Sequence, residues 1–200
     1  RWSVTPPNGL QEDVAMGLGG ATPPPLPPAS HLMNVTPPMV AAQVAAPTEN
    51  DYRRAGAVVG TISVELAAIT RQREQVMPLL LALLLDASPQ IAAKQQIEIT
   101  SRMGAAVARQ AAEIRSQYLA DLHPMLRLPL AALAFPLLRM RPRPSLEIFL
   151  DTVQAAVHAD GKTSLSEYCL GRQLHVQLRE SLDPSRYARF GRRKPGSVKQ

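Results

Sequence analysis

Cysteine is almost missing from this chain: Cys169 stands alone, so no intrachain disulfide can form. Its neighbours Tyr168, Leu170 and Leu174 make it a small buried hydrophobe of a helix rather than a reactive thiol. Nothing demands an oxidising compartment, which favours the cytosol. Aromatic residues are equally scarce, at 4% against a hydrophobic content of 46%. A core must therefore come from Leu, Ala, Val, Ile and Met, which suits packed helices better than a β-sandwich. The expected class is all-α, a helical bundle or stacked helical hairpins.

Long uninterrupted apolar runs are missing too. Val76–Leu85 is strongly apolar but short, and Arg73, Glu74 and Asp86 bracket it. Leu128–Leu138 is broken by Pro129 and Pro136 and flanked by Arg127 and Arg139. A bilayer-crossing helix needs about 20 apolar residues, so neither stretch is expected to span. The chain opens Arg1-Trp2 with no methionine and no charged-then-apolar leader, and reads as a piece of a longer protein.

Motifs of chemistry are absent as well. None of His31, His123, His158 and His175 belongs to a His-Glu-x-x-His pair, and none lies four residues from another. With one cysteine and scattered histidines, no zinc site is expected within the chain. There is no Gly-x-Ser-x-Gly elbow, phosphate loop or dinucleotide fingerprint. Gly17, Gly19 and Gly20 lie among prolines, not between a strand and a helix. No catalytic, cofactor-binding or metal-ligating residue is assigned.

What is present begins with proline. Ten of the nineteen prolines fall in residues 1–47, where missing amide donors and extended predecessors exclude a lasting helix or sheet. This stretch is expected to be a disordered, semi-rigid linker. Roughly 150 residues remain, enough to bury about two thirds of their unfolded surface. A first helical subdomain is expected over 48–123, a second over 124–182, and a basic tail over 183–200.

Local signals divide the helices. Thr48-Glu49-Asn50-Asp51 is a start, a capping hydroxyl followed by acidic residues. Tyr52, Ala55, Val59, Ile62 and Leu66 then recur at three or four residues. A second segment is expected from about Glu74 to Leu85, distorted at Pro78. Ser88-Pro89 restarts a helix, Gly104 splits it, and His123-Pro124 ends the run. The stretch Arg127–Met140 carries proline breaks and a stripe of Leu130, Leu133, Ala134, Leu137 and Leu138. Arg141-Pro142-Arg143-Pro144 is expected to be a stiff connector. Ser145 then caps a helix with Leu146, Phe149, Leu150, Val153 and Val157 on one face. A last helix starts near Ser164, with Leu165, Tyr168, Cys169, Leu174 and Leu178.

Between those last two helices, Asp160, Gly161 and Glu167 fall on positions five, six and twelve of a calcium-binding loop. Ala156 and His158 occupy positions one and three, which removes two carboxylates from the cage. The structural alternative is preferred: Gly161 makes the turn, and Ser164 with Glu167 forms a capping box.

The chain also resembles a known group. Pro47-Thr48-Glu49-Asn50-Asp51-Tyr52, Ile62–Leu66 and Met77–Asp86 are similar to the C-terminal, non-peptidase region of bacterial membrane-bound zinc metallopeptidases, the HtpX-like group related to CAAX prenyl proteases. Arg127-Leu128-Pro129-Leu130, Phe149-Leu150 and Ala159-Asp160-Gly161-Lys162 through Leu170 extend that likeness and also resemble a TerB-like helical domain. The resemblance spans roughly residues 47–180. The group's His-Glu-x-x-His helix lies upstream, so no catalytic or zinc-ligating residue transfers to this chain. Zinc would belong to the parent protein alone. The implied role is a non-catalytic accessory or interaction region at the cytoplasmic side of the inner membrane, serving substrate recruitment, regulation or self-association. Its partner would be another protein or the parent's own peptidase domain.

Two further readings compete. One is a free-standing helical protein-interaction scaffold. The other is nucleic-acid binding through the terminal cluster of Arg186, Arg189, Arg192, Arg193, Lys194 and Lys199, in a chain of net charge +6. No recognition helix or aromatic-studded basic strand supports the latter.

Overall fold

A computed structural model describes residue 28 and residues 48–183. The remainder of the proline-rich stretch and of the basic tail lies outside these residues. Eight helices and no strand are found among the described residues, so the fold is all-α as expected.

The chain divides into two units, residues 1–61 and residues 62–200. In the first, α1 (Glu49–Gly60) begins as its sequence dictates. The Thr48 hydroxyl accepts from the Asp51 amide, the Asp51 carboxylate accepts from the Thr48 amide, and the capping box closes. The Thr48 hydroxyl, which also donates to the Asp51 carboxylate at 2.7 Å, and then the Thr48 amide hold the Asp51 carboxyl below the ordinary aspartate range. Helix α1 buries no residue, and Tyr52 and Val59 are exposed. The expected periodicity from Tyr52 to Leu66 does not run through one helix, because the chain turns at Thr61–Ser63 and Ser63 caps a new one.

The second unit holds α2 (Val64–Ile69), α3 (Val76–Ala82), α4 (Pro89–Met103), α5 (Ala105–Tyr118), α6 (Pro124–Arg139), α7 (Arg143–Val157) and α8 (Leu165–Leu182). All seven residues of α3 are buried, and Leu83, Leu84 and Leu85 continue the buried run. Helix α3 packs on α5 and α6, α4 on α5 and α7, and α8 on α6 and α7. The apolar stretch is thus a buried seven-residue helix and the turn that follows it, wrapped by neighbouring helices, which is why it is apolar all round. The division expected after residue 123 falls inside this unit, since α3–α6 and α4–α7 contacts cross it. No helix among the described residues is long and apolar enough to cross a membrane.

Several boundaries follow local chemistry. Pro78 causes no distortion: it is the third residue of α3, where the amide has no intrahelical acceptor. Helix α7 starts at Arg143, two residues before the expected cap at Ser145, with Pro142 at the cap position and Pro144 in the first turn. Proline's fixed φ favours that first turn, so Arg143-Pro144 is helical rather than a connector. Leu146, Phe149, Leu150, Val153 and Val157 are buried, as the spacing predicts. Helix α8 instead buries Leu170, Leu174 and Leu178, leaving Leu165 and Tyr168 exposed and Cys169 half-buried.

Glycine acts oppositely at two places. Gly104 separates α4 from α5 at φ 91° and ψ 158°, a conformation essentially closed to residues with a Cβ. Gly171 lies within α8 where an added Cβ would meet Val157 Cγ2 at 3.5 Å, an ordinary contact. Gly104→Ala is expected to destabilise by about 2 kcal/mol, and Gly171→Ala to stabilise by about 0.5–1 kcal/mol through helix propensity. Urea denaturation followed by circular dichroism checks both, and shifts of the same sign would refute the assignment.

Candidate interaction surface

The polar groups of the second unit are largely committed to holding its helices. Gln95 is 1% exposed. Its carbonyl accepts from the Asp86 amide at 2.8 Å, and its Nε2 donates to Leu84 O at 3.1 Å and Glu167 Oε1 at 3.0 Å, with Ala156 O at 3.4 Å. One side chain thereby closes the frayed end of α3 and ties it to α7 and α8. The other oxygen of Glu167 accepts from the Ser164 amide at 2.9 Å and the Ser164 hydroxyl at 2.6 Å. The capping box is formed and Gly161 turns at φ 75°. Both Glu167 oxygens thus already serve helix capping and the Gln95 bond.

Arg115 acts similarly, donating from Nε to Leu85 O at 3.2 Å and from its terminal nitrogen to Leu119 O at 2.8 Å. Arg127 sits near it. Burial and then the Arg115 guanidinium hold the Arg127 pKa below the usual arginine value, against the opposing pull of Asp86. An arginine stays protonated even so.

The three described histidines do not converge. His123 caps α6, its Nδ1 accepting from the Met125 amide at 3.2 Å. His158 lies 3.2 Å from the Gln154 amide nitrogen. His175 is pushed down from the ordinary histidine pKa by burial, then by Arg179 and Arg172. Among the described residues no group of three or more His, Cys, Asp or Glu side chains could hold a metal ion. His31 lies outside the described residues.

The surface is distinctive at α6. This helix runs unbroken through Pro129 and Pro136, where breaks are expected from sequence. Leu126, Leu130, Ala131, Ala134, Phe135 and Leu138 are buried along one side. That stripe is offset from the expected one: Leu133 and Leu137 are only half-buried. On the opposite side Met125, Leu128, Ala132, Pro136 and, at the cap, Met140 are exposed, with Met125 at 45%, Leu128 at 38% and Met140 at 68%. At roughly 100° per residue these positions share one outward face, and Arg139 is the charged residue at its margin. A helix apolar all round is ordinarily covered all round. Among the described residues only half of it is covered.

Sequence reasoning missed that face because Arg127 and Arg139 are the only polar residues of α6, too few to reveal its two sides by their period. The signal lay in composition: from Leu122 to Leu146 there is no Asp or Glu, and the charges are Arg127, Arg139, Arg141 and Arg143, beside the titratable His123. Other exposed apolar side chains of the second unit, Val64, Ile97, Leu165 and Tyr168 among them, lie elsewhere in it. Ile97 stands at a shallow depression with Ala93 and Thr100, and Leu165 and Tyr168 are neighbours on the first turn of α8. Comparison with family models, with curated proteins and with solved structures gives no match.

Proposed function

We propose that this chain is a non-catalytic helical interaction module, the accessory region of a membrane-anchored zinc metalloendopeptidase, working by protein contact through the outward face of α6. The observation that carries the interaction reading is the half-covered apolar helix. Met125, Leu128, Ala132, Pro136 and Met140 form one exposed face, and such contiguous patches mark contact sites. The assignment to a metallopeptidase parent is supported by the resemblance of residues 47–180 and would place the module on the cytoplasmic side of the inner membrane. Zinc and the hydrolytic chemistry belong in that reading to the parent. The same face would serve a free-standing scaffold equally well. A His-Glu-x-x-His helix between apolar spans in any coding sequence upstream of Arg1 would establish the parent and so distinguish the two.

The working test introduces charge on the face. Leu128→Glu combined with Ala132→Glu is expected to change folding stability by only about 0.5 kcal/mol per site, as both positions are exposed. Proteolysis or assembly of the parent should fall about tenfold, the effect of losing roughly 1.4 kcal/mol of contact energy. A folded double variant that supports normal proteolysis and assembly would remove the reading.

A further inference from the structure

We propose that the outward face of α6 receives an acidic amphipathic helix of a protein partner. This deepens the interaction reading above and rests on it. Charge selects the partner first. No carboxylate occurs between Leu122 and Leu146, while four arginines do. Arg143 is paired with Glu147 at 3.0 Å. Arg139, at the end of the face, hydrogen-bonds the neutral side chain of Gln177 and forms no ion pair among the described residues. Arg141 keeps a buried Nε with no hydrogen-bond partner among the described residues. The apolar face therefore ends beside Arg139 and Arg141, neither of which forms an ion pair among the described residues, and complementarity calls for a partner that brings acids to that end.

The same charges disfavour a second copy. Two α6 faces paired in parallel about a two-fold axis bring Arg139 toward Arg139 of the other copy, and an antiparallel pair sets it against Met125; neither offers it a carboxylate. The prolines disfavour a lipid surface. Pro129 and Pro136 lack the amides that would close the carbonyls of Met125 and Ala132, two exposed positions. Hydrocarbon leaves such carbonyls unsatisfied, whereas a protein helix can offer a hydroxyl or amide donor. Helix α6 has 16 residues, a length of roughly 24 Å that matches a partner helix of about four turns.

The test uses the full chain and two synthetic helical peptides of about 18 residues. Both carry leucine on one face; one has glutamate and the other lysine on the flanks. Fluorescence anisotropy should show the acidic peptide binding about tenfold more tightly than the basic one, with the preference shrinking as salt rises. Ala132→Glu should weaken the acidic peptide about tenfold, and Arg139→Glu should erase or invert the preference. Circular dichroism of each variant checks that it is folded, and the two substitutions act through different chemistry. Equal binding of both peptides, with both lost in Ala132→Glu, would keep the interaction reading and overturn the acidic partner. A dimer by sedimentation that Ala132→Glu disperses would assign the face to a second copy. Flotation with mixed phosphatidylcholine–phosphatidylglycerol vesicles, lost in Ala132→Glu and unmatched by peptide binding, would assign it to a membrane. Failure of peptides, self-association and vesicles together would overturn both the partner and the interaction reading.

Discussion

Gln95→Leu is expected to lower the unfolding free energy by about 3 kcal/mol, because it orphans polar groups at a buried junction. Leucine fills much of the same volume, so the loss is chiefly of hydrogen bonds. The Asp86 amide loses its acceptor at 2.8 Å, and Leu84 O and Glu167 Oε1 lose donors at 3.1 Å and 3.0 Å. Each stranded group costs about 1–3 kcal/mol, partly relieved where solvent reaches half-buried Asp86 and Glu167. Glu167→Gln should cost about 1 kcal/mol, since glutamine can still close the capping box but cannot satisfy Ser164 and Gln95 together. The double variant should be milder than the sum of the two, because both substitutions break the same bond. Urea denaturation at a fixed pH measures all three. A Gln95→Leu variant within about 0.5 kcal/mol of the wild type would show the junction to be incidental.

Phe149→Ala should be larger still, at about 3–5 kcal/mol. Phe149 leads the fully buried side chains by volume and lies on α7, which packs against both α4 and α8. Truncation removes transfer energy and leaves a cavity between helices that cannot fully close. Phe149→Leu should recover most of the loss, within about 1.5 kcal/mol of the wild type. Its neighbour supplies the control: Ile148 is 46% exposed, and Ile148→Ala should change stability by about 0.5 kcal/mol. Comparable losses at 148 and 149 would contradict the orientation of α7.

Those two residues also show what the sequence made legible. The face of α7 could be read because buried and exposed positions alternate at helical spacing, with Phe149 inside and Ile148 outside. Starts at Thr48 and Ser164 were equally legible, since their capping boxes close within three residues, and Pro89 marked the start after Ser88 although the Ser88 side chain makes no cap bond. So was the separation at Gly104, where one residue fixes the backbone. The start of α7 was misplaced because the hydroxyl of Ser145 is a familiar cap, while the proline pair around Arg143 begins the helix earlier. Pro129 and Pro136 suggest breaks by local rules, yet Leu126, Leu130, Phe135 and Leu138 hold α6 continuous from the buried side. Gln95 looked like one more polar residue in a helix. Its partners Ala156 and Glu167 lie 61 and 72 residues away, and no local pattern reports a bond across such distances.

That separation bears on the order of folding. Gln95 can engage Leu84 and Asp86 as soon as α3 and α4 meet, but its bond to Glu167 must wait until α8 has docked. Interactions completed after the rate-limiting step restrain escape from the native state more than they hasten arrival. If α8 docks after that step, the bond from Gln95 to Glu167 lengthens the life of the assembled helices without speeding their meeting.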